Sequence, residues 1–194
     1  MNQEKVLDVF RKSNALLAGH FLLTSGKHSS VYLEKFMVLQ SPKHTEQLAK
    51  MIAAHFKSRK PDVVIGAAVG GIILAYEVAR QLKVRGIFME REEGKLTLRR
   101  NFEIKEGEKV LCVEDIVTTG GSVQELIDNI KANYKCDIIG TAVLINRSGK
   151  ELDFGAGETY SLATVDVKAY EEKDCPQCKK GEPVTARGSK RLKK

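Results

Sequence analysis

The sequence predicts an α/β protein with a mainly parallel central sheet flanked by helices, and a small N-terminal hood. Apolar, β-branched runs alternate along the chain with segments of helical periodicity. Two of these runs pass through a glycine-bearing loop directly into a helical segment, as in a parallel α/β unit. The chain has 194 residues, of which 42% are hydrophobic, so it can bury one full core.

The first forty residues are predicted to form a helix and a hairpin, which together make the hood over residues 1–40. Residues 4–18, including Leu16 and Leu17, carry apolar side chains at helical spacing. The FLL and VYL runs that follow flank the polar segment TSGKHSS, a pattern typical of a hairpin. Pro42 suits a first helical turn and opens a second helix that extends to Arg59.

Residues 41–170 are predicted to form the α/β core. Strands are expected over 63–71, 86–92, 110–115, 137–148 and 159–167, and helices over 72–84 and 122–134. The polar segment 94–109 indicates an exposed hairpin or lid. Crossovers between parallel strands are right-handed, and ligands lie beyond the carboxyl ends of the strands. The loop 66–71, residues 114–122 and Arg147 are therefore expected at one edge.

The composition argues against membrane and nucleic-acid partners. No run of 18 apolar residues is present, and the amphipathic N-terminus does not have the pattern of a signal peptide, so we expect a cytoplasmic protein. The net charge is +7, but seven basic residues and one acid between Lys179 and Lys194 supply +6 of it. This basic tail has no aromatic residues to stack on bases, and we interpret it as a solvated end.

Two of the four cysteines lie close together near the end of the chain. Cys175 and Cys178 form a C-P-Q-C segment, within a C-terminal element predicted over residues 171–194. A closed zinc site needs four ligands, and all four histidines lie in the first third of the sequence. We interpret the segment as a tight turn in a reducing compartment. A zinc site shared between two chains and a redox pair are the alternatives.

The most informative segment is Val110–Ser122, VLCVEDIVTTGGS. Its apolar run ends in the adjacent acids Glu114 and Asp115, and a loop rich in threonine and glycine then opens an amphipathic segment. Backbone N–H groups converge on a phosphate at such a loop, while carboxylates accept protons from vicinal ribose hydroxyls. The segment therefore predicts a site for a ribose 5-phosphate. The alternative is a strand–turn–helix with a solvated acidic turn.

This segment resembles the signature of the type I phosphoribosyltransferases, which bind phosphoribosyl pyrophosphate (PRPP). Segment 19–35 contains F-x-L-x-S-G-x-x-S followed by Tyr32, and it resembles the hood of orotate phosphoribosyltransferases. The R-x-x-x-K spacing of Arg91 and Lys95 is similar to that of the family's lid. The C-P-Q-C segment resembles the C-terminal element of a short-chain subgroup. The resemblance therefore covers nearly the whole chain.

The resemblance implies that Glu114 and Asp115 hold the ribose hydroxyls of PRPP. The other residues implied for PRPP are Ile116, Val117, Thr118, Thr119, Gly120, Gly121, Ser122 and Arg99. It further implies that Thr118 and Arg147 contact orotate, with the Arg147 guanidinium on the carboxylate of orotate, and that Tyr32 packs on the pyrimidine ring. Taken alone, Arg147 is either this clamp or an ordinary charge at the rim.

The loop 66–71, GAAVGG, has two interpretations. Its missing side chains either allow a helix to pack closely on a strand or let backbone N–H groups approach an anion. It matches neither a Walker A loop nor a dinucleotide-binding fingerprint. The resemblance implies that it is a pyrophosphate-binding turn.

Segment 90–103, here called the lid, carries four cations, among them Arg91, Lys95 and Arg99, between four acids. It is either a solvated hairpin or a mobile cover whose cations neutralise a leaving pyrophosphate and whose closure excludes water. The resemblance implies that Arg91, Lys95 and Asp115 are the catalytic residues. It also implies a homodimer in which the lid reaches the site of the neighbouring subunit.

The implied activity is transfer of the 5-phosphoribosyl group from PRPP to orotate, which yields orotidine 5′-monophosphate and pyrophosphate in pyrimidine biosynthesis. Mg²⁺ is the expected cofactor, and because substrate phosphates typically hold it, no dedicated protein cage is expected. The alternatives are a phosphoribosyltransferase for another base and a PRPP-sensing regulator without catalysis. A neutral base needs no arginine clamp, and a sensor has no leaving group for a lid to stabilise.

Overall fold

The computed structural model describes residues 3–23 and 25–186, so Thr24 and the last eight residues of the basic tail lie outside the described residues. The N-terminal elements are α1 (Gln3–Lys12), β1 (Leu16–Leu22), β2 (His28–Leu33), α2 (Lys35–Leu39) and α3 (Pro42–Phe56). The hairpin predicted from the FLL and VYL runs is confirmed, since β1 and β2 pair in antiparallel fashion.

The helix predicted over 4–18 is shorter than expected. It ends at Lys12, because Ser13 Oγ donates back to the carbonyl oxygen of Val9 and Asn14 adopts a left-handed backbone with φ of 54°. Leu16 and Leu17, which the spacing assigned to the helix, lie in β1 instead. Pairing with β2 therefore overrides the helical pattern at these two residues.

The remaining elements build the core. In chain order they are β3 (Val63–Ala67), α4 (Gly70–Leu82), β4 (Arg85–Glu92), β5 (Lys95–Leu98), β6 (Lys109–Val117), α5 (Gly121–Asn133), β7 (Asp137–Asn146), β8 (Glu158–Thr164), α6 (Pro176–Lys179) and β9 (Thr185–Ala186). The main sheet has the order β5-β4-β3-β6-β7-β8. All its neighbours are parallel except β4 and β5, which form the hairpin of the lid. The mainly parallel sheet is thus confirmed.

Alternate residues of the central strands face two different helical layers. Val64, Leu111 and Val113 belong to a buried cluster with α1, α3 and α4, whereas Val63 and Ile65 belong to a second cluster with α5. Side chains alternate across a strand, so a continuous apolar run buries both of its faces. Each such side chain stabilises the fold by about 1.5–3 kcal/mol, which holds the strand ends that carry the site.

The carboxyl ends of β3, β6 and β7 meet at one edge of the sheet, as predicted. Val117 at the end of β6 lies opposite Asn146 at the end of β7. The next backbone N–H group, that of Arg147, donates to the carbonyl oxygen of Val117 over 2.8 Å. The ends of these strands therefore bring the predicted site residues to one place.

A second, three-stranded sheet has the order β2-β1-β9, with β9 parallel to β1. The C-terminal segment thus returns to the N-terminal hairpin, and a further backbone bridge joins His28 to Tyr170. The elements α2, α6 and β9 were not predicted, because each spans five residues or fewer and shows no resolvable period. Among the described residues, no helix has the length and apolar character needed to cross a bilayer.

Candidate active site

A cavity of about 260 Å³ opens at the carboxyl ends of β3 and β6. Two loops and one lysine line it, through Lys35, Ala67, Ala68, Val69, Gly70, Glu114, Ile116, Val117, Thr118, Thr119, Gly120, Gly121, Ser122 and Val123. The structure therefore places seven of the predicted PRPP-binding residues between 116 and 122, together with Glu114, around one space.

Asp115 lies behind this lining and is 1% exposed. Its Oδ1 accepts hydrogen bonds from the Ile116 N–H (2.6 Å) and from Lys35 Nζ (3.1 Å), and its Oδ2 lies 2.9 Å from the same ammonium. Lys35 begins α2 and reaches the cavity from the hood side. A buried carboxylate is thus held in one orientation by an amide and a cation before any ligand arrives.

Glu114 is also buried, and its Oε1 accepts a hydrogen bond from the Asp115 N–H at 3.0 Å. Burial, followed by repulsion from the Asp115 carboxylate, raises the pKa of Glu114 to about 8. Lys35 acts in the opposite direction, through its positive charge. Glu114 and Asp115, here called the acid pair, therefore hold a proton more readily than two isolated carboxyl groups do. The alternative of a solvated acidic turn does not fit this burial.

Some glycines of the 66–71 loop allow close packing of a helix on a strand, and another leaves space at the cavity. A Cβ on Gly66 would lie 2.5 Å from the carbonyl oxygen of Gly71, so these two glycines allow α4 to pack directly on β3. A Cβ on Gly70 would lie 1.6 Å from Asp115 Oδ2 and 3.1 Å from Lys35 Nζ. Close packing therefore accounts for Gly66 and Gly71, whereas Gly70 keeps the space beside the acid pair open.

The loop 118–122 has the geometry of an anion site. Gly120 has a φ of 85°, and α5 begins at the following residue. A Cβ on Gly120 would also lie 2.9 Å from the ring of Phe154, so glycine is needed there on two counts. The first N–H groups of a helix have no acceptor within the helix, and the first residues of α5, Gly121, Ser122 and Val123, line the cavity.

The structure brings Tyr32 and Arg147 into electrostatic contact. Arg147 is half-buried, and burial lowers the pKa of its guanidinium, while Tyr32 acts in the opposite direction. The Tyr32 ring also packs on Phe21, with 5.6 Å between ring centroids. The hood and the end of β7 therefore meet beside the cavity, as the two orotate assignments require.

The predicted lid cations do not line the cavity. Arg91 forms a bidentate pair with Glu125 on α5, with Nη2 at 2.6 Å from Oε2, and this guanidinium lowers the pKa of Glu125. Arg99 lies 3.3 Å from Glu92, and Lys95 lies in a groove between β5 and α5. The lid is thus folded against its own chain, with acids engaging Arg91, Arg99 and Arg100.

Lys35 is the site residue that sequence reasoning missed. It follows the VYLE run of the hood hairpin, where it appears as one more charge after a strand. The only available signal was its position directly after the segment that carries Tyr32. Its contact with Asp115 joins residues 80 positions apart, which no local pattern predicts.

Comparisons with known proteins agree with this geometry. The Phosphoribosyl transferase domain family matches residues 37–168. The orotate phosphoribosyltransferase of Caldicellulosiruptor bescii is 47% identical over 191 residues, which cover 98% of this chain and 100% of the relative. The orotate phosphoribosyltransferase of a Thermoanaerobacter species is 49% identical over 192 residues, which cover 99% and 100%.

Solved structures show the same fold. Orotate phosphoribosyltransferase from Aeropyrum pernix superposes with a TM-score of 0.62 at 26% identity, over 82% of this chain and 93% of that chain. Adenine phosphoribosyltransferase from Saccharomyces cerevisiae superposes with a TM-score of 0.63 at 15% identity, over 80% of this chain and 99% of that chain. The second likeness concerns the fold alone.

Proposed function

The chain belongs to the orotate phosphoribosyltransferases within the Phosphoribosyl transferase domain family, and from this premise we propose how its residues act. The reaction is transfer of the 5-phosphoribosyl group of PRPP to orotate with release of pyrophosphate, a step of pyrimidine biosynthesis. One observation supports this proposal most directly: the end of β6, which carries Glu114, and the 118–122 loop line the same cavity.

PRPP lies along this cavity. The 5-phosphate accepts hydrogen bonds from the N–H groups and hydroxyls of Thr118–Ser122, where the positive end of α5 favours an anion. Glu114 and Asp115 form hydrogen bonds with the ribose hydroxyls. Gly70 leaves space for the pyrophosphate beside them. Lys35 both orients Asp115 and offers a positive charge to the pyrophosphate.

The carboxyl groups of Glu114 and Asp115 suit an Mg²⁺ ion that binds together with PRPP. The two buried carboxylates lie at the cavity, but Lys35 and backbone amides already engage them, so they do not form a cage for a bare cation. Glu114 and Asp115 would hold the ion together with PRPP, because substrate phosphates typically supply ligands of Mg²⁺. When bound, Mg²⁺ neutralises the charge of the pyrophosphate.

Orotate enters between the hood and the end of β7. The half-buried Arg147 guanidinium binds its carboxylate through two parallel hydrogen bonds, and burial strengthens this contact. Tyr32 packs on the ring, and Thr118 contacts it from the loop. These groups hold one ring nitrogen against the anomeric carbon, so much of the rate enhancement comes from positioning.

The bond changes require no covalent enzyme intermediate. The ring nitrogen of orotate forms a bond to the anomeric carbon as the C–O bond to pyrophosphate breaks, and that electron pair leaves on the pyrophosphate oxygen. Positive charge then develops on the ribose ring, near the Asp115 carboxylate and the adjacent Glu114. Negative charge develops on the leaving group, where the lid cations Arg91, Lys95 and Arg99 act after the lid closes.

A homodimer is the assembly that we infer from exposed apolar residues at the start of α4. Val69, which precedes the helix, and Ile73 and Tyr76 are spaced to share one helical stripe and are 66%, 39% and 67% exposed. Val69 also lines the cavity, so a second copy packed on this stripe would lie beside the site. Light scattering tests this assignment: Tyr76→Glu is expected to yield monomers, and a persistent dimer contradicts the interface.

The central experiment follows the absorbance of orotate in the presence of PRPP and Mg²⁺. We expect orotate to be consumed with stoichiometric release of pyrophosphate, and Asp115→Asn to lower kcat/KM by about 100-fold or more. Asp8→Asn, which changes an exposed acid on α1, is the matched control. If the parent protein consumes no orotate, the proposal fails, and this result also separates an enzyme from a PRPP sensor.

The second candidate is a phosphoribosyltransferase for a neutral base, the alternative acceptor that the sequence left open. The arginine at the end of β7 distinguishes the two. Arg147→Ala is expected to raise the KM for orotate by about 100-fold and to leave the rate measured with uracil, a neutral base, unchanged. An equal loss of activity with both bases would contradict the proposed contact between Arg147 and the carboxylate of orotate.

A further inference from the structure

A second group of reactive side chains lies where the hood meets the C-terminal segment. His20 on β1, His28 at the start of β2, and Cys175 and Cys178 at α6 each present one ligand atom. These four atoms all lie within 4.8 Å of one another. His20, His28 and Cys175 are buried, and Cys178 is partly buried. The described part of the proposed PRPP site uses none of them.

The distances between the ligand atoms suit a tetrahedral metal ion. Both sulfur atoms lie 3.5 Å from His20 Nε2, and Cys178 Sγ lies 3.2 Å from His28 Nδ1. Bonds of about 2.3 Å to sulfur and about 2.0 Å to nitrogen place a thiolate and an imidazole of one tetrahedral zinc site about 3.5 Å apart. The two ring nitrogens are 2.8 Å apart, so a small rotation of one ring completes the tetrahedron.

The surrounding backbone holds the ligands in these positions. His20 Nδ1 donates to the carbonyl oxygen of Glu182 over 2.8 Å, which leaves Nε2, the atom facing both sulfurs, free to coordinate a metal. The backbone of His28 exchanges hydrogen bonds with Tyr170, and the Lys179 N–H donates to the carbonyl oxygen of Cys175. Orientation of a ligating histidine by such a carbonyl is typical of metal sites.

We propose that His20, His28, Cys175 and Cys178 of one chain bind a single Zn²⁺ ion. Two thiolates and two imidazoles are a donor set that selects zinc, and four protein ligands leave no open position for a substrate. The ion therefore has a structural role. It fastens the C-terminal segment to the hood hairpin and so links residues 158 positions apart, such as His20 and Cys178.

The sequence led to the interpretation of C-P-Q-C as a tight turn, with zinc shared between two chains or a redox pair as the alternatives, and the proposed site differs from all three. The two missing ligands belong to the same chain. The histidines are distant in sequence, but the β1–β2 hairpin places them side by side, and β9 brings the C-terminal segment back along β1. Because β2 also carries Tyr32, the ion stabilises the part of the hood assigned to orotate.

Metal content tests the site without any assay of activity. The full chain is purified from zinc-supplemented cells without chelators, and elemental analysis is expected to find about one zinc ion per chain. Cys178→Ser is expected to lose most of this zinc, whereas Cys136→Ser, which changes a cysteine outside the cluster, keeps it. Replacement by Co²⁺ is expected to produce the visible bands of tetrahedral thiolate coordination.

The Tm of the parent protein, measured with and without zinc, tests the site even if Cys178→Ser does not fold. Removal of zinc by a chelator is expected to lower Tm by several degrees, and added Zn²⁺ to restore it. Three results would overturn the proposal: zinc-free protein whose Tm ignores added Zn²⁺, a Cys175–Cys178 disulfide in place of metal, or one ion per two chains. The last result would instead support a site shared across a dimer.

Discussion

Two ion pairs of similar chemistry differ in the burial of their acids. The Lys35 and Asp115 side chains at the cavity are 35% and 1% exposed, whereas the Arg91 and Glu125 side chains at the lid are 49% and 35% exposed. An exposed pair contributes under about 1 kcal/mol, because water and salt screen it. Removal of one partner from a buried pair costs several times more.

The difference separates a fixed part of the site from a movable part. The cavity pair holds a carboxylate in place before substrate binds, which is how a site avoids reorganisation during the reaction. The lid pair costs little to break, and the proposed mechanism needs this, because it has pyrophosphate replace Glu125 as the partner of Arg91. The same type of contact thus orients Asp115 at the cavity, whereas at the lid it allows Arg91 to change its partner in the proposed mechanism.

Gly70→Ala breaks the cavity pair by steric overlap and is expected to have the largest effect. The added Cβ would lie 1.6 Å from Asp115 Oδ2, so the carboxylate or the loop must shift. A displacement of this kind is expected to lower kcat/KM by about 100-fold. Gly107→Ala is the control, because it strains a backbone with φ of 81° but has no atom within 4 Å of its Cβ. Equal activity losses in both variants would contradict the prediction.

Lys35→Met removes the cation of the cavity pair and keeps the length of the side chain. Asp115 then faces Glu114 without a positive partner, and pyrophosphate loses one charge contact. The KM for PRPP is expected to rise about tenfold, as initial-rate kinetics can show. Lys43→Met, at an exposed position on α3, should behave like the parent protein. An unchanged KM in Lys35→Met would limit this lysine to a structural role.

The lid pair can be broken from either side, and the two results are expected to differ. Arg91→Gln removes a cation that acts on the leaving pyrophosphate, so kcat is expected to fall about tenfold. Glu125→Gln breaks the same contact but leaves the cation, so kcat should not fall. Single-turnover kinetics on both variants measure the chemical step. Equal losses would mean that the pair only stabilises the hairpin.

The last prediction concerns stability rather than rate, and it is a pH dependence that arises from Glu114. Its pKa is raised to about 8 in the folded state from an ordinary value of 4.5, so the folded protein holds more protons than the unfolded chain between these limits. The free energy of unfolding therefore falls as pH rises through this window, by at most about 1.4 kcal/mol per pH unit.

Urea unfolding at several pH values checks this effect. Glu114→Gln, which stays neutral, is expected to gain stability over the parent protein as pH rises from 5 to about 8. Glu93→Gln, at an exposed turn of the lid, is the control and should follow the parent curve. A constant difference between Glu114→Gln and the parent would show that Glu114 has an ordinary pKa.

The parts of the site that could be predicted are those contained in one continuous run. Glu114, Asp115 and the 118–122 loop follow one another within nine residues, so strand period and loop composition were enough to place them together. The loop 66–71 and Arg147 were placed at the same edge by the rule for parallel strands, and the register of β6 with β7 confirms that edge for Arg147. Their individual contacts in the reaction remain predictions.

The lid illustrates where composition was not sufficient. The sequence shows cations and acids in alternation, which fits both a solvated hairpin and a catalytic cover. The structure shows which acid each lid arginine engages, and Glu125, the partner of Arg91, lies on α5 outside the segment. Pairing across elements depends on how the hairpin packs, and no spacing along the chain encodes it.

Sequence alone determined the parallel α/β core and the strand end at which two acids precede a glycine-rich loop, because periodicity and loop composition act over neighbouring residues. Tertiary structure alone decided the contact of Lys35 with Asp115 and the meeting of His20 and His28 with Cys175 and Cys178. These contacts join segments that are 80 to 158 positions apart. The physical reason is that burial and sheet pairing, which act on the whole chain, set those distances.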